Sequence, residues 1–246
     1  MNPGSRWVYR PSTPFRLGPQ GPLPTAVKRL IIANVGVFVV QLATGTWLTR
    51  NFGLIPALVT DLELWRLFTY QFLHGGVFHL ALNMLMLWMF GSELEHRWGH
   101  RFFTKYYFVC AVGGGIAFTL VQWGEWVTSV GASGAIYGVL MAYAMWFPNR
   151  QVYLYFLFPI RVRYLVIFLI LLELVQAIDA TGTVAHTAHL GGMAFGYGYL
   201  RWYGMRGLET FAISQPADLR KAYMRWKLKR LQKRRFGQGP TGPTYH

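Results

Sequence analysis

Residues 130–148 read VGASGAIYGVLMAYAMWFP: a single serine, Ser133, set among glycines and followed by an apolar run. The apolar half of that pattern recurs along the chain, at about 30–48, 74–92, 103–123, 161–178 and 185–203. A membrane-spanning helix needs about 20 mainly apolar residues, and these six stretches reach or approach that length. Composition agrees. Of 246 residues, 53% are hydrophobic and only 13% charged, against roughly 25% charged in soluble domains. The six stretches predict an all-α, polytopic membrane protein.

The formal charge of +15 is unevenly placed. Residues 1–29 carry Arg6, Arg10, Arg16, Lys28 and Arg29 and no acid, and residues 201–246 hold 11 of the 24 basic residues. A nucleic-acid interface would need a folded basic face, whereas basic flanks beside apolar helices follow the positive-inside rule. No nucleic-acid partner is expected. Loops 93–102 and 149–163 contain Arg97, Arg101, Arg150, Arg161 and Arg163; loops 124–131 and 179–184 contain Glu125 and Asp179 and no Lys or Arg. This asymmetry places both termini in the cytoplasm. The organisation expected is a basic, Pro-rich leader at 1–29, a six-helix domain at 30–203 and a basic tail at 204–246. The tail segment LRKAYMRWKLKRLQKRR distributes its charges around a helical wheel, which reads as a surface anchor for anionic lipid. The lone Cys110 lies in an apolar run and reads as a small core residue.

Polar groups inside a bilayer are costly and often mark function. Span two opens HGGVFHLALN, with His79 and Asn83 at i, i+4 on one face; span four opens with Ser133 and Tyr137, again at i, i+4. Span six opens AHTAHLGGMAFG, where His189, Gly192 and Gly196 share a face. The loop-charge topology brings all three clusters to the same, outer, depth. Gly134 and Gly138 repeat the small-xxx-small spacing that lets membrane helices approach closely, which would carry His189 to Ser133. A lone serine in such a helix usually packs; four polar groups converging from three helices mark a site.

Four motifs, WR at Trp65–Arg66, HLALN at His79–Asn83, GASG at Gly131–Gly134 and AHLGG at Ala188–Gly192, make the chain resemble the rhomboid intramembrane serine proteases over about residues 30–203. The resemblance implies a six-transmembrane-helix rhomboid bundle that cleaves transmembrane segments of single-pass proteins near their outer end; the minimal six-span core with no organellar presequence leads us to expect a bacterial plasma (inner) membrane. It implies a Ser133–His189 dyad, an oxyanion hole from His79, Asn83 and the backbone of Ser133 and Ala132, and Tyr137 stacked beside His189. Gly131, Gly134, Gly192, Gly196, Trp65 and Arg66 would support the site, and His74 would shape a water-filled entry. No cofactor and no metal are expected. An inactive rhomboid-like protein that binds membrane helices without cutting is the alternative.

Three further expectations complete this reading. No acid clearly completes a triad: Asp179 reads as a loop residue, and Glu173, about 9 Å of helix away, has no simple reading but is within reach of polar groups near the outer surface. His186 reads as an outer-rim residue. Glu95 and Arg97, in the family-like stretch GSELEHRWG, are expected to pair with each other, and loop 179–184 reads as a movable cap.

Overall fold

The computed structural model describes residues 21–154, 158–178 and 185–203. The leader up to residue 20, the cap loop with Asp179 and the basic tail lie outside the described residues. Ten α-helices and one hairpin make up the described chain. Among the described residues, three helical stretches are long and apolar enough to cross a membrane. They are α1 (Thr25–Thr44); the continuous run of α5 (Val77–Met86), a π turn (Leu87–Gly91) and α6 (Ser92–Trp98); and α7 (His100–Val121). α8 (Ser133–Trp146), α9 (Val162–Ile178) and α10 (Ala185–Tyr203) occupy the three later apolar stretches. At 14 residues, α8 is only about 21 Å long.

The helices are inside-out by the standard of a water-soluble protein. On α1 the buried residues Ala26, Leu30, Asn34 and Phe38 recur every four positions, while Ile32, Val35, Val39 and Leu42 are exposed. An apolar face of that extent marks a lipid or protein contact. α9 buries Val162, Leu165, Val166 and Glu173 along one stripe and exposes Ile167, Phe168, Leu171 and Val175.

The all-α expectation needs one correction. β1 (Gln151–Leu154) and β2 (Phe158–Arg161) form an antiparallel hairpin with Val152 opposite Ile160. Its residues alternate, Val152 and Ile160 half-buried against exposed Tyr153 and Pro159, which is the two-residue period of a strand rather than a helix.

The pairing of Glu95 with Arg97 is also corrected. Glu95 is buried and accepts from the backbone N–H groups of Ala26 (2.7 Å) and Val27 (2.8 Å). α1 is preceded by Pro24, has no side-chain cap of its own and has no acid in its first turn. Its free N–H groups and positive dipole end are therefore satisfied from 69 residues away. The Arg97 guanidinium instead lies 5.5 Å above the Phe147 ring, and Glu93 takes the Tyr143 hydroxyl (2.6 Å) and Arg150.

The segment between α1 and α5 folds as short helices, α2 (Trp47–Phe52), α3 (Pro56–Thr60) and α4 (Arg66–Thr69), then a 3-10 turn at Tyr70–Phe72. Buried Arg66 organises it, donating to Glu63 (2.6 Å) and to the carbonyls of Arg50 (2.9 Å) and Gly53 (2.7 Å), while Trp65 Nε1 donates to Asn51 O. Leu54, beside Gly53, exchanges both backbone bonds with Ser129 (3.0 and 2.9 Å), and Gly131 N–H donates to Tyr70 O (3.0 Å). The chain entering α8 is thereby pinned to this segment. Arg66 thus braces the segment to which this chain is pinned.

By its internal contacts the chain divides into Met1–Gly198, which carries every expected site residue, and Tyr199–His246, described only through the end of α10.

Candidate active site

Ser133 is the first residue of α8, with Ala132 at its N-cap. Gly131 has φ +127°, a conformation that side chains disfavour, and a Cβ there would stand 2.8 Å from the His79 ring. The glycine serves both the turn into α8 and the close approach of His79. The leading N–H groups of α8 have no partner within their own helix and sit at its positive end.

His189 reaches Ser133 from α10. Its Nε2 lies 2.7 Å from Ser133 Oγ. The Tyr137 ring stacks on the imidazole, centroids 4.2 Å apart and 5° from parallel. Small residues make this approach possible. A Cβ on Gly192 would run into the Gly134 carbonyl, and one on Gly138 would lie 2.9 Å from Gly192 O. Gly196, expected on the His189 face, packs against another helix. It faces α7, where a Cβ would meet Tyr106 Oη at 2.5 Å and Cys110 Sγ at 2.9 Å. The Gly113–Gly115 run of α7 was not singled out from sequence. Gly114 backs onto the Ala188 carbonyl, where a Cβ would stand at 2.7 Å, and Tyr70 Oη, beside it, donates to Ala111 O at 2.7 Å. Burial pushes the Tyr70 phenol above its ordinary range, so it remains a donor.

His79 and Asn83 come from α5. His79 Nδ1 accepts from Gly75 N–H (3.3 Å), which leaves the ring hydrogen on Nε2, one of the two atoms facing Gly131. Asn83 is buried, and its Nδ2 donates to no group among the described residues. Buried donors are nearly always satisfied, and this one lies on the same helix face as His79 without a partner among the described residues.

His74 lies just before α5, its backbone clamped by Gln41, which accepts from His74 N–H (3.1 Å) and donates to His74 O (2.8 Å). The His79 ring lies 5.1 Å away.

An acidic side chain, singled out for no role from sequence, stands beside His189. Glu173 of α9, 3% exposed, places Oε1 3.0 Å from His189 Nδ1 and Oε2 2.5 Å from His186 Nδ1. The Tyr137 hydroxyl interacts with the same carboxylate. Sixteen residues separate Glu173 from His189, and the pairing of two consecutive helices closes that gap. His186 is accordingly no rival base at Ser133, since it holds the other carboxylate oxygen. The donor atoms of Glu173, His186 and His189 lie within 4.8 Å of one another, a set that could hold a metal. Zinc ligands at about 2.0 Å in tetrahedral array would stand roughly 3.3 Å apart, whereas these contacts are 2.5 and 3.0 Å. They are hydrogen-bond distances.

A family model of the Rhomboid domain matches residues 61–206. The chain belongs to the rhomboid family. It is 28% identical over 182 residues to RHOMBOID-like protein 12, mitochondrial, of Arabidopsis thaliana, covering 67% of this chain and 54% of that one. To Rhomboid-like protease 3 of Toxoplasma gondii it is 30% identical over 149 residues, covering 58% and 53%. To Rhomboid protease GluP of Bacillus subtilis it is 34% identical over 143 residues, covering 57% and 26%. The chain thus spans about half or less of these relatives' lengths. Rhomboids include proteases, as two of these names state.

Proposed function

We propose that this rhomboid is an active intramembrane serine endopeptidase in which Ser133 is the nucleophile and His189 the base. The observation that carries the reading is the 2.7 Å contact between His189 Nε2 and Ser133 Oγ. A serine hydroxyl is a weak nucleophile until a neighbouring base takes its proton. Ser133 Oγ attacks the scissile carbonyl carbon as its proton passes to His189 Nε2, forming a tetrahedral oxyanion. Collapse breaks the C–N bond, and His189 returns the proton to the departing amine. Water, deprotonated by the same imidazole, then hydrolyses the Ser133 ester and releases the carboxyl product. The oxyanion is received by the N–H of Ser133, the His79 ring and the Asn83 amide, with Ala132 N–H beside them.

Substrates are transmembrane segments of single-pass proteins, cut near their outer end, where a helix must first open to expose a carbonyl. Helix-breaking Gly or Pro below the cut favours this. The loop charges and the positions of α1, α5–α6, α7, α8, α9 and α10 support six spans with both termini in the cytoplasm, and the basic tail is read as resting on anionic lipid. We place the protein in a plasma (inner) membrane; curated relatives include mitochondrial proteins. The second reading, a rhomboid-like helix binder without activity, is disfavoured because the serine and histidine are both present and in contact.

The test is labelling with a fluorophosphonate, which modifies only an activated serine. Wild type in detergent should label and should cut a single-pass substrate, and Ser133→Ala should do neither. Equal labelling of both proteins would place the reactive serine elsewhere and defeat the proposal. Asn83→Ala should remain folded and still react, with kcat lowered about 10²–10³-fold, the usual cost of one oxyanion donor. An unchanged kcat would remove Asn83 from the oxyanion hole.

A further inference from the structure

We infer that Glu173 is the positioning carboxylate of a Ser133–His189–Glu173 triad, an inference that rests on the serine-protease reading above. An ionisable side chain on an apolar helix such as α9 is costly and survives only with partners. Glu173 is buried on the inward stripe of α9, and both of its oxygens are engaged, one by each histidine. Its contact with His189 falls on Nδ1, and the contact with Ser133 falls on Nε2. Nδ1 facing a carboxylate must carry the hydrogen, which leaves Nε2 as the acceptor for the Ser133 hydroxyl. The carboxylate thus selects the tautomer that acts as a base, and its charge stabilises the imidazolium formed during attack. No proton passes to Glu173 in this scheme.

His186 fixes Glu173 in turn. It holds the second oxygen at 2.5 Å, so the carboxylate cannot rotate away from His189 without losing a bond. Stacking by Tyr137 limits tilting of the imidazole, but a stacked ring can still turn over about its Cβ–Cγ bond, which would put Cδ2 in place of Nδ1 and Cε1 in place of Nε2 and so remove the base from Ser133. The carboxylate supplies what stacking does not.

The experiment compares wild type, Ser133→Ala, Glu173→Gln and Glu173→Asp in detergent, reading kcat, KM and the melting midpoint. Glu173→Gln keeps the volume and removes the charge, so kcat should fall about a hundredfold or more with KM within about twofold. Glu173→Asp keeps the charge with a shorter reach, and its kcat should lie between the two. A purely structural carboxylate would instead lower the amount of folded enzyme and leave the kcat of the remainder at the wild-type value. That result in either variant overturns the inference, and the Asp variant decides if the Gln variant does not fold. Should neither variant fold, Glu173 is structural and the inference also falls. Wild-type kcat in Glu173→Gln beside an inert Ser133→Ala would sink the triad alone. Cutting by Ser133→Ala at the wild-type rate would sink the protease reading itself.

Discussion

Ser133→Ala and His189→Ala are each expected to lower kcat about a millionfold, and the double variant is expected to be no slower than either. Without the Ser133 hydroxyl there is no acyl acceptor; without His189 the hydroxyl keeps its proton and cannot attack. Either loss disables one unit, so the second costs nothing further. What turnover remains comes from the oxyanion donors and from substrate positioning, which both variants retain. Cleavage of a single-pass substrate in liposomes, followed over days, would measure it. Additive losses in the double variant would mean that Ser133 and His189 act independently, contrary to their 2.7 Å contact.

The second large effect concerns the fold. Glu95→Ala is expected to destabilise the protein by about 4 kcal/mol, because two charge-assisted bonds are lost and the N–H groups of Ala26 and Val27 stay buried. Glu95→Gln keeps one acceptor but turns an NH2 group towards the other N–H, so about half of the loss is expected. Thermal unfolding in detergent should rank wild type above Gln and Gln above Ala. An Ala variant as stable as wild type would show that α1 does not depend on α6 for its cap.

Much of the site is written locally. His79 and Asn83, and Ser133 and Tyr137, sit four apart on their helices, and glycines mark where backbones touch. Those patterns bring Ser133 and His189 together, and the resemblance to rhomboids adds Tyr137 beside the imidazole. Pairings between distant elements are less legible. Glu95 stands two residues from Arg97, and proximity in sequence suggests a pair, but their directions on a short helix diverge. Glu173 was measured against Asp179, its neighbour along the chain, rather than by its face. Its position on the stripe of Val162, Leu165 and Val166 points it inward, and the histidines of the next helix are its polar company there. The hairpin was hidden in a short loop, where the alternation of QVYL and FPIR extends over too few residues to stand out.

The 14 residues of α8 set a depth. Measured up from the cytoplasmic face of the proposed bilayer, a helix of about 21 Å stops roughly 9 Å short of a hydrocarbon layer of about 30 Å. On the proposed topology and mechanism, Ser133 would therefore stand at the floor of a recess. A substrate helix would spend about six residues descending that distance, at 1.5 Å each, and those residues would have to uncoil before a carbonyl met Ser133. A protease of this geometry would choose substrates by the weakness of a helix at a given height as much as by the residues at the cut.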